Sequence, residues 1–177
     1  MIIYWKTLEK DVTDTNTIPE YINSIYFKGT EKAKYPNNDI KCRVYLNSPY
    51  IGLSNATPTL LKFDQKLFDI SDNFNLSTGK FTVPKTGYYS VSFSILYYNL
   101  LAEKRYVVNI KKNADILIST HQLAVVDGYL TCNGSSIEYF EVDDEITLYI
   151  ENADALTPCN VFGRVDASFL AIDLISI

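Results

Sequence analysis

The chain has 177 residues and a mass of 20.1 kDa, the size of one domain. With 47% hydrophobic and 21% charged residues it has the material for a packed core, which excludes a disordered chain. A net charge of -5 and the lack of any basic stripe exclude nucleic acid as a main partner.

Residue types that favour strands dominate, among them 14 Tyr and 9 Phe, while strong helix formers are sparse. At the start, Ile2-Ile3-Tyr4-Trp5 is followed at once by Lys6. An export signal needs an apolar run of roughly 7 to 15 residues, so none is expected here. No stretch approaches the roughly 20 apolar residues of a spanning helix, and a soluble chain without membrane insertion is expected. Residues 1–40 are polar and turn-rich, and the charged run from Phe27 to Asp39 reads as a linker. Ile18, Tyr21, Ile22 and Ile25 have helical spacing, with Pro19 suited to a first turn, so one short helix is expected over 18–26. A boundary is placed near residue 40, leaving 41–177 as the main domain.

Beyond it the pattern has period 2. Tyr89, Val91, Phe93 and Ile95 alternate with Ser90, Ser92 and Ser94, which puts the large residues on one face of a strand. The turn from Val83 to Gly87, with Pro84, precedes it. Further strands are expected over 105–111, 116–120, 136–142, 145–151 and 167–175. Turns are expected at Lys112 to Asp115, at Asn133-Gly134-Ser135 and at Asp143-Asp144. Leu100 to Arg105 reads as a connection. Short strands at this spacing indicate an antiparallel sandwich or barrel.

Residues that carry chemistry are few. His121 is the only histidine, so it has no histidine partner for zinc and nothing in the sequence marks a nucleophile beside it. Cys42, Cys132 and Cys159 are widely separated, fitting free thiols in strands and assembly in a reducing compartment. Neither Asp143-Asp144-Glu145 nor the stretch from Asp69 to Asn75 has the spacing of a calcium loop, and both read as turns or loops. Asn55-Ala56-Thr57, Asn75-Leu76-Ser77 and Asn133-Gly134-Ser135 match the glycosylation sequon by chance, and no glycine-rich phosphate loop is present. The expectation is a protein that is not an enzyme, with no catalytic residues, no metal ligands and no cofactor.

The order of motifs is more specific than any one of them. Phe63 to Asp69 is followed by Phe74-Asn75-Leu76-Ser77-Thr78-Gly79-Lys80-Phe81-Thr82-Val83-Pro84-Lys85-Thr86-Gly87-Tyr88-Tyr89. Then come Val107 to Asp115, Gly134 to Ile146 and Ala167 to Ile172. From about Lys41 to Ile177 the chain resembles the complement C1q-like globular domain. That family's pattern runs S-T-G-x-F-x-x-P-x-x-G-x-Y, K-N-G, G-D-x-V and S-x-F-x-G-x-L. Ala114, Asp143 and Ala171 stand where it usually has Gly.

The resemblance implies an all-β, ten-stranded antiparallel jelly-roll sandwich of the C1q and tumour-necrosis-factor type, with a short N-terminal extension, forming a homotrimer. Phe81, Tyr89, Val91, Phe93 and Phe169 are assigned to the core, Pro84 to a rigid connection, and Gly79 and Gly87 to turns that need backbone freedom. Tyr88, Tyr97, Tyr98, Tyr129, Tyr139 and Tyr149 are candidates for a trimer interface or outer binding face. The expected function is a non-enzymatic virion structural or attachment protein of a bacteriophage, such as a head fibre, capsid decoration or tail-tip knob. It would assemble in the host cytoplasm, residues 1–40 would hold other virion proteins, and the head would face outward toward a host glycan or protein. The alternative is a bacterial or other cell-surface or secreted recognition module.

Overall fold

Alternating apolar and polar residues favour strands, and strands are what form. The computed structural model describes residues 40–53, 57–153 and 158–177, with no helix among them. The helix expected over 18–26 and, apart from Ile40, the extension 1–40 lie outside the described residues.

The strands are β1 (Lys41–Tyr45), β2 (Tyr50–Leu53), β3 (Thr59–Leu60), β4 (Gln65–Asp69), β5 (Phe74–Asn75), β6 (Lys80–Thr82) and β7 (Gly87–Leu100). They continue as β8 (Arg105–Lys112), β9 (Asp115–Leu123), β10 (Gly128–Phe140), β11 (Glu145–Asn152), β12 (Cys159–Val161) and β13 (Phe169–Ser176). Every pairing is antiparallel. One layer runs β4-β1-β13-β7-β10 and the other β5-β6-β11-β8-β9. This is a jelly roll, with thirteen strands among the described residues rather than the ten expected. The three extra are short. β12 pairs beside the far end of β7 and carries β2 on its other edge, and β3 pairs beside the far end of β11.

β7 is the centre of the first layer. β10 pairs with it from Gly87 to Leu100, and β13 and then β12 occupy its other edge. Tyr89, Val91, Phe93, Ile95 and Tyr97 point inward and meet Phe81, Val108, Ile110, Ile146, Leu148 and Ile150 of the other layer. The Tyr97 hydroxyl, fully buried, donates 2.8 Å to the Val107 carbonyl, linking β7 to β8 across the core.

Two expectations about glycine and turns are corrected. Asn133-Gly134-Ser135 is not a turn but the middle of β10, where Gly134 lies directly opposite Phe93. A Cβ at Gly134 would stand 2.9 Å from two atoms of the Phe93 ring, so the missing side chain is what lets that ring lie flat on the strand. Gly87 has no left-handed dihedral. Its Cβ would come within 2.4 Å of the Ser176 carbonyl oxygen, so it is a close-approach position rather than a flexible one. Two of the turns where the family pattern has Gly use left-handed polar residues here. Asn113 takes the left-handed conformation in place of Ala114, and Asp143 adopts φ 69° itself.

Phe169 also departs from expectation. β13 buries Leu170, Ile172 and Leu174, which leaves Phe169 on the outer face, half-buried beneath the Arg43 guanidinium at 4.1 Å. Phe81, Tyr89, Val91 and Phe93 are buried as expected, and Pro84 lies in the β6–β7 connection.

Gly134→Ala is expected to lower stability by about 1 to 3 kcal/mol, because Phe93 is enclosed and must shift as a whole ring. Urea unfolding should show a lower midpoint with an unchanged slope. A midpoint equal to that of the parent chain would contradict this account of Gly134.

Candidate recognition surface

Residues directly opposite one another in an antiparallel pair share a face, so the register defines the outer side of the first layer. From β7 come Tyr88, Ser90, Ser92, Ser94, Leu96 and Tyr98. From β10 their partners are Tyr139, Ile137, Ser135, Asn133, Thr131 and Tyr129. Phe169, Ala171 and Asp173 of β13 continue the same rows. Small side chains thus line the middle of β7, aromatic clusters border the face at both ends, and Phe169 under Arg43 stands beside Ser94.

At one end the Tyr88 and Tyr139 rings meet edge to face at 5.4 Å beside Ile137. At the other, Tyr98 stacks on Tyr129 at 6.3 Å and meets Phe162 edge to face at 5.8 Å. Tyr88, Ile137, Tyr139 and Tyr129 remain 49%, 59%, 47% and 67% exposed, far more than rings held in a core.

Four of the six expected surface tyrosines, Tyr88, Tyr98, Tyr129 and Tyr139, thus share one face. Tyr97 does not: it is one residue out of phase and fully buried, and desolvation holds its phenol well above the ordinary value. Tyr149 lies on the outer side of the other layer, half-buried under the Lys111 ammonium at 4.3 Å. Phe162, just after β12, and Phe169 complete the surface, and for Phe169 the parity along β13 was the signal available.

The two ends of the sandwich differ. Ile40 bonds through its carbonyl to the Leu174 N–H at 3.0 Å, and Lys41 sits level with Asp173 and hence with Ser90 of β7. The β7–β8 and β9–β10 connections lie at the other end, beyond Leu100, roughly 33 Å further along β7 at the usual rise per residue. These two connections are fastened together. The Glu103 N–H donates 2.7 Å to the Ala124 carbonyl, the Ala124 N–H 3.0 Å to that of Lys104, and the Ala102 N–H 2.7 Å to the Asp127 carboxylate. Val125 and Val126 stand exposed at their tip.

The polar groups on the described surface are arranged for structure. The Ser119 hydroxyl donates to Asn109 Oδ1 at 2.6 Å and lies 2.8 Å from His121 Nε2. Burial pushes the thiols of Cys42, Cys132 and Cys159 up to about 12, and all three are free. No group of three or more His, Cys, Asp or Glu among the described residues is placed to hold a metal ion. Nor is any helix among them long and apolar enough to cross a membrane.

Asp144 of the acidic turn has its lone pairs engaged. Burial opposes its charge, but Lys112 at 2.8 Å, the Glu141 N–H at 2.8 Å and the Asn113 amide at 2.7 Å outweigh it. Its carboxyl accordingly titrates below the ordinary aspartate value.

A sandwich of two antiparallel layers with this connectivity, whose marked surfaces are apolar faces and loop tips, defines a jelly-roll domain of the C1q and tumour-necrosis-factor class. A C1q domain family model matches residues 51–161, more than half of the chain, and the protein belongs to the C1q domain family. The fold is similar to the globular domain of zebrafish complement 1qA, with 19% identity, a TM-score of 0.58, and coverage of 76% of this chain and 96% of that one. It is similar as well to the tumour-necrosis-factor protein Eiger from S. frugiperda, with 14% identity, a TM-score of 0.60, and coverage of 77% and 92%. Murine APRIL gives 14% identity, a TM-score of 0.57, and coverage of 76% and 98%. Among curated proteins none matches.

A carboxyl held lower in the folded than in the unfolded chain adds stability above the unfolded value of about 4 and loses it as pH falls through the lower folded value. Asp144→Asn should therefore lower stability at neutral pH and flatten its decline between about pH 6 and pH 3. Denaturant midpoints measured across that range test this, and an unchanged decline would remove Asp144 from the acid response.

Proposed function

We propose that the protein is a homotrimeric, non-enzymatic recognition head, in which the outer face of the β4-β1-β13-β7-β10 layer is covered by a second copy of the chain. The observation that carries this reading is the composition of that face, two aromatic clusters bordering a strip of small residues, Ser90, Ser92, Ser94, Ser135 and Ala171. Small residues let a neighbour approach closely and the exposed rings supply the apolar area, the anatomy of a subunit interface. A threefold ring needs a heterologous contact, in which this face meets a different surface of the next copy. Membership of the C1q family supports the same reading.

The finer reading is a bacteriophage virion component: a head fibre, capsid decoration or tail-tip knob on the virion surface, assembled in the host cytoplasm. Residues 1–40 would engage other virion proteins, and the head would present its loops to a host glycan or protein. The entry of the chain at Ile40, at the opposite end from the 101–104 and 124–127 connections, supports an attached end and an outward end. Mass spectrometry of purified virions tests it, and absence of the chain from them would favour a cell-surface or secreted recognition module.

Light scattering should give a particle of three chains of 20.1 kDa each for the parent protein. Ile137→Asp, a change on an exposed side chain, should give single chains with the same circular dichroism, because a carboxylate buried without a partner in the interface costs several kcal/mol. A parent chain that runs as a monomer, or an Ile137→Asp variant that remains trimeric, overturns the assignment of this face.

A further inference from the structure

The connection from β4 to β6 folds around one carboxylate. Asp69 accepts hydrogen bonds from the backbone N–H groups of Asn73 at 3.1 Å and Phe74 at 2.9 Å, and holds Lys66 Nζ at 2.8 Å. Asp72, with φ 53°, takes the same ammonium at 2.6 Å. Beyond them Asn75 Oδ1 accepts from the Ser77 N–H at 2.9 Å, the Ser77 hydroxyl at 2.7 Å and the Thr78 N–H at 3.2 Å. The Asn73 carbonyl accepts from the Thr82 N–H at 3.0 Å.

These bonds fix the walls of an open cleft of about 580 Å³, lined chiefly by Asp72, Asn73, Asn75, Ser77 and Thr82, with Leu76 as an apolar patch. The groups that hold the loop leave others unspent. Among the described residues the Asn75 amide nitrogen and the Thr82 hydroxyl have no partner, and Asp72 has one carboxylate oxygen to spare.

The lining narrows the ligand class. A phosphate or sulfate needs an unpaired cation, and Lys66 is engaged by two carboxylates. A nucleobase needs an exposed ring, and Phe74 is buried. A lipid or steroid needs a mainly apolar pocket. Neighbouring hydroxyls on a saturated ring both donate and accept, which suits an amide, a hydroxyl and a carboxylate oxygen side by side, with Leu76 against the ring carbons.

We propose that this cleft binds a neutral saccharide unit, an assignment that rests on reading the chain as a recognition head and gives that head a ligand class. Because the walls are held before binding, little ordering is lost when the sugar enters.

The test is a nuclear magnetic resonance titration of the full, isotope-labelled chain with glucose, galactose, mannose, N-acetylglucosamine and N-acetylgalactosamine. At least one sugar should shift the side-chain amide signals of Asn73 and Asn75 saturably. Asn75→Asp keeps the Oδ1 acceptor for Ser77 and Thr78 but removes the N–H, and should weaken that binding by at least about tenfold; Thr82→Val, on an exposed strand position, should weaken it similarly. The proposal is overturned if no sugar shifts these signals, if the shifts map elsewhere, or if both variants bind like the parent. A trimer with a silent cleft sinks the saccharide and leaves the trimer standing. A monomer whose cleft binds sugar does the reverse.

Discussion

Strand β7 is hydrogen-bonded along both edges, by β10 on one side and by β13 and β12 on the other, so its side chains have only two places to go. One set enters the space between the layers and the other forms the outer face. The alternation of Tyr, Val, Phe and Ile with Ser therefore builds the core and the strip of small residues in one strand. Neither can be altered in register without inverting the other, because a slip of one residue would send the serines inward and four large side chains into solvent.

Closing the layers around this strand requires several close approaches. Gly134 gives way to the Phe93 ring, and Gly87 to the Ser176 carbonyl at the end of β13. Tyr97 adds a polar tie, since its hydroxyl reaches the backbone of β8 from the centre of the other layer. The turns are less demanding. Asn113 and Asp143 adopt left-handed conformations that their short polar side chains tolerate, so these turns form without glycine.

The described functional features are surfaces rather than a reactive centre. The thiols are buried and their titration is pushed up, the Ser119 hydroxyl beside His121 donates to Asn109, and the acidic turn spends its oxygens on its own loop. What remains are an aromatic-bordered face suited to another subunit, a fastened pair of loops at the far end and a preformed polar cleft on the flank. Such surfaces agree with membership of the C1q family.

Much of this was legible in the order of residues. Period 2 indicated β7 to β11 and β13, though not β12, and the chain of motifs indicated the jelly roll, because local alternation and turn chemistry reflect backbone geometry directly. Alternation assigns faces only once the register and the ends of each strand are known. That is why Tyr97 was grouped with Tyr98, why Phe169 was placed in the core when Leu170 occupies it, and why Asn133-Gly134-Ser135 resembled a turn although β10 passes straight through it. The cleft beside Asp69 was read only as a loop, since its walls come from bonds between residues whose pairing depends on where β4, β5 and β6 end. The sequence by itself determined which residues alternate and so which fold they build. Tertiary structure alone decided which side of each strand faces a neighbouring layer and which faces outward, because that depends on pairings between segments far apart in the chain.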